Sequence, residues 1–284
     1  MKNAISVLNI TRKLAVAGLA GLLLSTFVSG PASAQAWAAR HGMTGAQYQA
    51  EFNKYTGQGY RLTDVSGYSV NGTAYYAAIW QKTGGPAWVA RHGMTSSKYQ
   101  AAFNQYTGMG FAPALVDGYD LGATSYFAAI WQKSGGAWVA RHDMTSSGYQ
   151  AEFNNWTSKG YRLTDVTGYA ANGQVRYAAI WKKQRGGAWV ARHGMTGAQY
   201  QAAFNQYTSQ GYKPSHVDGY TVNGTPYYAA IWTKGSGAYV ARHGLTSAQY
   251  QAEFDKWIGK GYRLHDVSGY SAGGSARYAA IWYK

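Results

Sequence analysis

Residues 36–86 read AWAARHGMTGAQYQAEFNKYTGQGYRLTDVSGYSVNGTAYYAAIWQKTGGP, and the pattern recurs four more times in the 284-residue chain. The pair Arg-His marks the phase: Arg40-His41, Arg91-His92, Arg141-His142, Arg192-His193 and Arg242-His243, at steps of 51, 50, 51 and 50 residues. Each unit closes on Ala-Ala-Ile-Trp, ending at Trp80, Trp131, Trp181, Trp232 and Trp282. A fixed period of this size predicts an array of supersecondary units, each too small to hold a core alone. The unit boundaries read as 36–86, 87–136, 137–187, 188–237 and 238–284.

Within a unit the pattern predicts strand, helix, strand, strand, an α+β repeat. Trp37 to His41 is a short strand. Thr44 followed by Gln47 is a capping box that starts a helix. Tyr48, Phe52 and Tyr55 then fall on one helical face. Gly59 sits where a left-handed cap ends the helix. Tyr60 to Tyr68 is a second strand, Asn71-Gly72 a two-residue hairpin turn, and Ala74 to Trp80 a third strand. That third strand carries apolar residues on both faces, so it is expected to be covered on both sides. Open arrays need polar end units, and here the first and last units are no more polar than the middle ones. The expectation is a closed five-bladed, propeller-like toroid with unit 5 on unit 1. A curved open array is the alternative.

Composition narrows the function classes. Lys+Arg total 26 against 11 Asp+Glu, a formal charge of +15, yet only 13% of residues are charged and 46% are apolar. That apolar fraction excludes a disordered chain. The absence of cysteine excludes a disulfide scaffold and thiol catalysis. Lys2, Arg12 and Lys13, then the apolar run Leu14 to Val28, then Pro31-Ala32-Ser33-Ala34 spell a secretory signal cleaved after Ala34. The apolar run is shorter than the ~20 residues a spanning helix needs. Removing residues 1–34 takes the charge from +15 to +12. The expected product is a soluble exported chain, extracellular or periplasmic, without a transmembrane segment.

The units are not identical. Glu51, Glu152 and Glu253 occur with Arg61, Arg162 and Arg263, whereas units 2 and 4 carry Ala102 and Ala203 with Ala112 and Lys213. This co-occurrence predicts a helix-to-strand ion pair in units 1, 3 and 5. The second strand carries Asp64, Asp165 and Asp266 in those units, but Asp117 and Asp218 two positions later in units 2 and 4. Two positions along a strand is the same face. The expected partner of these carboxylates is the Arg of the Arg-His pair.

No complete catalytic constellation is spelled out. Arg-His-Gly resembles the phosphohistidine motif of histidine phosphatases, but it recurs in four units and unit 3 reads Arg141-His142-Asp143. A residue present five times is architectural before it is catalytic. Lys82-Thr83-Gly84 matches one element of β-lactamase-like hydrolases, yet no Ser-x-x-Lys occurs anywhere. No cysteine and no H-x3-H pair point to a metal, and no cofactor is implied.

The strings Ala87 to Thr95, Tyr48 to Phe52 and Gly59 to Tyr68 resemble the bacterial tandem repeat domain of secreted proteins, across all five units. Similar repeats form the N-terminal region of polyglycine hydrolases and related β-lactamase-like serine hydrolases. In those hydrolases catalysis belongs to a separate β-lactamase-like module, which this chain lacks. The resemblance therefore implies a non-catalytic recognition or scaffold array.

The expected function is binding of an extracellular polysaccharide, cell-envelope material or a protein through repeated sites. An accessory or catalytic role in an extracellular serine-hydrolase-like system is the alternative. Candidate ligand-binding residues are Arg40, His41, Arg91, His92, Arg141, His142, Arg192, His193, Arg242 and His243, with Tyr68, Tyr119, Tyr169, Tyr220 and Tyr270. The tyrosines follow a Gly near a hairpin, which leaves their burial open, whereas Tyr75 and Tyr227 have Arg176 and Arg277 as counterparts in other units and are expected to be exposed. Tyr with Arg suits stacking on sugars or contact with a protein. The positive charge favours anionic ligands. An exported chain without a dense basic run argues against nucleic acid.

Overall fold

The computed structural model describes residues 36–284, so the expected leader at residues 1–34 lies outside the described residues. Unit 1 comprises β1 (Trp37–Thr44), α1 (Gly45–Gly57), β2 (Arg61–Val70) and β3 (Thr73–Gln81). Unit 2 comprises β4 (Trp88–Thr95), α2 (Ser96–Gly108), β5 (Ala112–Leu121) and β6 (Thr124–Gln132). Unit 3 comprises β7 (Trp138–Met144), α3 (Ser146–Ser158), β8 (Arg162–Ala171) and β9 (Gln174–Lys182). Unit 4 comprises β10 (Trp189–Met195), α4 (Gly197–Ser209), β11 (Tyr212–Val222) and β12 (Thr225–Lys234). Unit 5 comprises β13 (Tyr239–Leu245), α5 (Ser247–Gly259), β14 (Arg263–Ala272) and β15 (Ser275–Tyr283).

Local chemistry accounts for these boundaries. Thr44 Oγ1 accepts from the Gln47 N–H while Gln47 Oε1 accepts from the Thr44 N–H, which is the expected reciprocal cap of α1. Gly59 takes φ +81° after the helix, a conformation that disfavours any side chain. Asn71 and Gly72 both take positive φ, +51° and +77°, as the tight turn of a right-twisted hairpin requires.

In every unit the third strand is central: the order is β1-β3-β2, antiparallel throughout, and likewise in the other four sheets. The five sheets are separate; among the described residues no hydrogen-bonded ladder runs from one unit to the next. Covered on both faces, the central strand is buried from Tyr76 to Trp80.

No unit owns its core. Tyr48, Tyr55, Tyr76, Ala78 and Trp80 of unit 1 pack with Ala90, Tyr119, Ala128 and Ile130 of unit 2. The same arrangement joins units 2 and 3, 3 and 4, and 4 and 5. A fifth core unites Tyr250, Phe254, Ile258, Tyr278 and Trp282 of unit 5 with Trp37, Ala39, Tyr68, Ala77 and Ile79 of unit 1. Each sheet thus has its own helix on one face and the preceding unit's helix on the other. Burying one Phe- or Leu-sized side chain stabilises by ~1.5–3 kcal/mol, and a unit cut from its neighbours would lose several such side chains at once.

Candidate functional site: inter-unit grooves and a shared central cavity

The Arg-His pairs lie on the first strand of each unit, at the edge of the sheet away from the second strand. In β1 the register shifts between Arg40 and Met43, because His41 and Gly42 form a bulge opposite β3. A bulge re-aims its side chain, and here it turns each imidazole onto two rings of the preceding unit. His92 meets Tyr48 and Tyr76 at centroid distances of 4.6 and 5.2 Å, both edge-on. His193 meets Tyr149 and Tyr177 at 4.5 and 5.0 Å. His41 meets Tyr250 and Tyr278 of unit 5 at 4.6 and 5.1 Å. His142 and His243 repeat the geometry on Tyr99 with Phe127 and on Tyr200 with Tyr228. Burial disfavours the imidazolium. It lowers the pKa of His92, His142, His193 and His243, and with Arg40 alongside it takes His41 to about 4. These histidines are neutral wedges between units.

The arginines hold their planes differently. Each donates Nη1–H to the carbonyl of the preceding alanine and lies over an aromatic ring of its own helix. Arg91 lies 5.3 Å from the Tyr106 centroid, Arg192 5.2 Å from Tyr207 and Arg242 5.8 Å from Trp257. In units 1, 3 and 5 the Nε atoms of Arg40, Arg141 and Arg242 pair with Glu51, Glu152 and Glu253 at 3.3–3.4 Å. The expected pairing of these glutamates with Arg61, Arg162 and Arg263 is thereby corrected. Arg61 and Arg162 instead reach the linker, donating to Pro86 and Gly187 carbonyls and covering Trp88 and Trp189. The helix turns its acid towards the first strand, not the second.

Between α4 and β13 lies a groove of 210 Å3 lined by Tyr200, Gln201, Phe204, Ala241, Arg242 and His243. The same six residue types occupy the corresponding positions at every other junction, for example Tyr149, Gln150 and Phe153 with Ala191, Arg192 and His193. Beside the groove, Gln201 Nε2 donates to Asn205 Oδ1 at 2.8 Å, and equivalent exposed amide pairs stand on α1, α2 and α3.

The five candidate tyrosines are buried, 1–4% exposed. The reason is a Gly on the second strand of the preceding unit. A Cβ on Gly67 would lie 2.4 Å from the Tyr119 ring, and Gly118, Gly168, Gly219 and Gly269 stand in the same relation to Tyr169, Tyr220, Tyr270 and Tyr68. Each ring therefore packs against the preceding unit's backbone, where only glycine leaves room. The hydroxyls are engaged as well: Tyr119 with Tyr76, Tyr220 with Tyr177, Tyr270 with Tyr228 and Tyr68 with Tyr278, at 2.5–2.7 Å. Unit 2 has Phe127 where the others carry that tyrosine, and Tyr169 instead donates to Asp143 Oδ1 at 2.7 Å. The odd Arg141-His142-Asp143 is thus a local compensation. Rings packed in this way offer no free face for stacking, and the reading of Tyr68, Tyr119, Tyr169, Tyr220 and Tyr270 as ligand contacts is corrected. Tyr75, Tyr227, Arg176 and Arg277 are half-buried rather than exposed.

The second strands of all five units face one shared cavity. Two tiers follow from the register. Asp64, Leu115, Asp165, His216 and Asp266 each stand opposite the Ile of the central strand; Ser66, Asp117, Thr167, Asp218 and Ser268 stand opposite an Ala. The carboxylates do not meet the Arg of Arg-His, which is on the far edge of the sheet. They accept backbone N–H groups from the unpaired edge of the preceding unit's second strand. Asp117 takes Gly67 N–H at 2.6 Å, Asp165 takes Val116 at 2.7 Å, Asp218 takes Gly168 at 2.7 Å, and Asp266 takes Val217 at 2.8 Å. Asp64 of unit 1 takes Val267 of unit 5 at 2.9 Å. Thr167, Ser268 and Ser66 accept a second N–H from Gly118, Gly219 and Gly269. The edge groups of buried strands need such partners, and side chains of the next unit supply them.

Burial, opposed in part by these hydrogen bonds, raises the pKa of Asp64, Asp117, Asp165 and Asp218. Asp64 and Asp117 rise well above the ordinary range, with like charge from Asp266 and Asp218 adding to burial, Asp165 rises too, and Asp218 reaches about 7. His216 sits among them as a cation. Its Nδ1 lies 3.1 Å from Asp266, its Nε2 2.8 Å from the Val166 carbonyl and 3.8 Å from Asp165. Burial opposes its charge, but Asp266 and Asp165 outweigh burial and hold its pKa well above 6.5. A pocket of 270 Å3 opens beside this tier, with Arg61, Trp88, Gln132 and His265 at its rim. Among the described residues no three His, Asp or Glu side chains converge to hold a metal ion.

Sequence reasoning missed one motif. Gly269-Tyr270-Ser271-Ala272-Gly273 spells the G-x-S-x-G of nucleophile elbows. That motif needs a strand-to-helix turn, and here it ends β14 and enters a hairpin, with Ser271 paired to Ala276 and Gly273 at φ +57°. It lacks the elbow.

Among the described residues no helix is long and apolar enough to cross a membrane. A comparison with curated proteins returns no match. A family model described as "Polyglycine hydrolase-like, structural repeat" matches residues 34–83, 85–134, 135–184, 186–235 and 236–284. With five matches spanning nearly all of the described residues, the chain belongs to the polyglycine hydrolase-like structural repeat family.

Proposed function

We propose that this chain is a secreted, non-catalytic binding array whose five units close into a five-bladed, propeller-like toroid and present repeated grooves to an extracellular polysaccharide. The observation that carries the binding role is the groove at Arg242 and His243, whose six lining residue types recur at every junction, beside a Gln–Asn amide pair that recurs on α1 to α4. An amide pair bonded to itself keeps free donors and acceptors outward, which suits sugar hydroxyls. Equivalent weak sites on one rigid body bind by avidity. Closure is supported by the core and the Asp64 bond that join unit 5 to unit 1. The test is a glycan array probed with the chain from Gln35 onward, followed by titration of any hit. Binding with several sites per chain, weakened by replacing Gln49, Gln100, Gln150 and Gln201 with Ala, is expected. Absence of binding to any glycan would refute this function. N-terminal sequencing of the exported product tests cleavage after Ala34.

A second reading is an enzyme or hydrolase accessory acting at the central opening, favoured by His216 between Asp165 and Asp266 beside a 270 Å3 pocket. Its carboxylates are committed to backbone N–H groups, which weighs towards architecture. Turnover in a hydrolase panel that is abolished by His216→Gln, in a chain that still folds, would establish it.

A further inference from the structure

The five Arg-His arginines fall into two electrostatic classes. Arg40, Arg141 and Arg242 are neutralised at Nε by a helix glutamate. Arg91 and Arg192 have Ala102 and Ala203 at the corresponding helix positions, and among the described residues neither has an acidic partner. Both are exposed. Yet both are held as firmly as the others, by Nη1–H to the Ala90 and Ala191 carbonyls at 2.8 Å and by the rings of Tyr106 and Tyr207 beneath them. A guanidinium that is already oriented loses little entropy on pairing.

Resting on the polysaccharide-binding reading, we propose that Arg91 and Arg192 are two anion-receptive positions that take the carboxylates of an acidic polysaccharide. The chain itself supplies the template. In units 1, 3 and 5 the group that meets the equivalent Nε is a carboxylate at 3.3–3.4 Å, so a uronate carboxylate would take the place that Glu51, Glu152 and Glu253 fill there. The neighbouring amide pairs, Gln49–Asn53 beside unit 2 and Gln150–Asn154 beside unit 4, offer the donors and acceptors that sugar hydroxyls use. An acidic peptide would satisfy the arginines as well but offers the amide pairs only backbone N–H and C=O groups, whereas a uronate ring presents vicinal hydroxyls that each donate and accept at one atom. With open positions in units 2 and 4 and closed ones in units 1, 3 and 5, the array reads charge at two of its five grooves.

The test transplants the closing residue. The double variant Ala102→Glu with Ala203→Glu is titrated with polygalacturonate beside Arg91→Gln with Arg192→Gln, and Lys183→Gln with Lys284→Gln serves as a charge control. Urea melts establish that each variant folds. Both double variants at the grooves are expected to weaken polygalacturonate binding by about tenfold, the loss of a charge-assisted contact, while the lysine control stays near wild type. Glu152→Ala opens a third position and is expected to tighten binding. Unchanged affinity in Ala102→Glu with Ala203→Glu would overturn the proposal, as would an equal loss in the lysine control or stronger binding of polyglutamate than of polygalacturonate. If neutral glycans bind and these variants do not discriminate, this inference fails alone; if no glycan binds at all, the polysaccharide function fails with it.

Discussion

Asp218→Asn should convert a pH-dependent protein into a less pH-dependent one, with a sign opposite to ordinary acid denaturation. Asp218 is 3% exposed; its Oδ2 accepts the Gly168 N–H and its Oδ1 accepts the Ser268 hydroxyl. Burial raises its pKa from 3.8 to about 7. A carboxyl whose folded pKa is raised stabilises fully below the unfolded value and loses that contribution as pH climbs towards the folded value. At 1.36 kcal/mol per pKa unit, the wild type forfeits on the order of 4 kcal/mol between pH 4 and pH 8 through this group. Asparagine keeps an acceptor for Gly168 and carries no charge. Urea unfolding of both proteins across pH 4–8 should show the Asp218→Asn variant gaining on the wild type as pH rises. Asp218→Ala removes the acceptor as well, and leaving a buried N–H unpaired costs about 1–3 kcal/mol at all pH values. Parallel stability curves for the wild type and the Asp218→Asn variant would refute a buried, proton-retaining carboxyl at this position.

The histidine wedges act in the other direction. His193 has a lowered pKa, so its packing contribution is present above pH 6.5 and fades as pH falls through the folded value. His193→Phe should retain edge-on contacts worth about 0.5–1.5 kcal/mol per ring pair and abolish that acid sensitivity, read by thermal melts at pH 4–7. At the exceptional junction, Asp143→Gly strips the Tyr169 and Ser96 hydroxyls of their acceptor, a loss of about 1 kcal/mol per bond, set against relief of the φ +55° that Asp143 adopts. Adding Phe127→Tyr should recover the Tyr169 part of that loss; strictly additive effects in urea melts would count against the compensation.

The repeat, its strand-helix-strand-strand order and the doubly covered third strand follow from residues whose role is local: Thr44 with Gln47, Gly59, Asn71-Gly72 and the Tyr75 to Trp80 alternation. What stayed illegible was pairing between units. Gly67-Tyr68 looks like a loop-side aromatic until Tyr119 is seen lying on Gly67. Asp64 and Asp117, two residues out of phase, look like partners for a cation because a carboxylate's usual partner is one. Their actual partners are backbone N–H groups, which no side-chain pattern reveals. The alternation itself held a clue: five is an odd number, so units 1 and 5, both of the Asp-Val-Ser type, meet where Asp64 and Ser66 take Val267 and Gly269. Of the candidate ligand contacts, the arginines keep an exposed edge at four junctions, whereas the histidines and tyrosines are spent on packing.

The contact between unit 5 and unit 1 is best tested by a double-mutant cycle on Gly269 and Tyr68, residues far apart in sequence whose added Cβ and ring would approach to 2.3 Å. Overpacking a site of this kind costs about 1–3 kcal/mol, and Tyr68→Ala removes the ring that Gly269→Ala would strike. The coupling from urea unfolding should therefore be about 1–3 kcal/mol and should match that of Gly118→Ala with Tyr169→Ala between units 2 and 3. Coupling at Gly118–Tyr169 but none at Gly269–Tyr68 would mean that the first and last units do not meet.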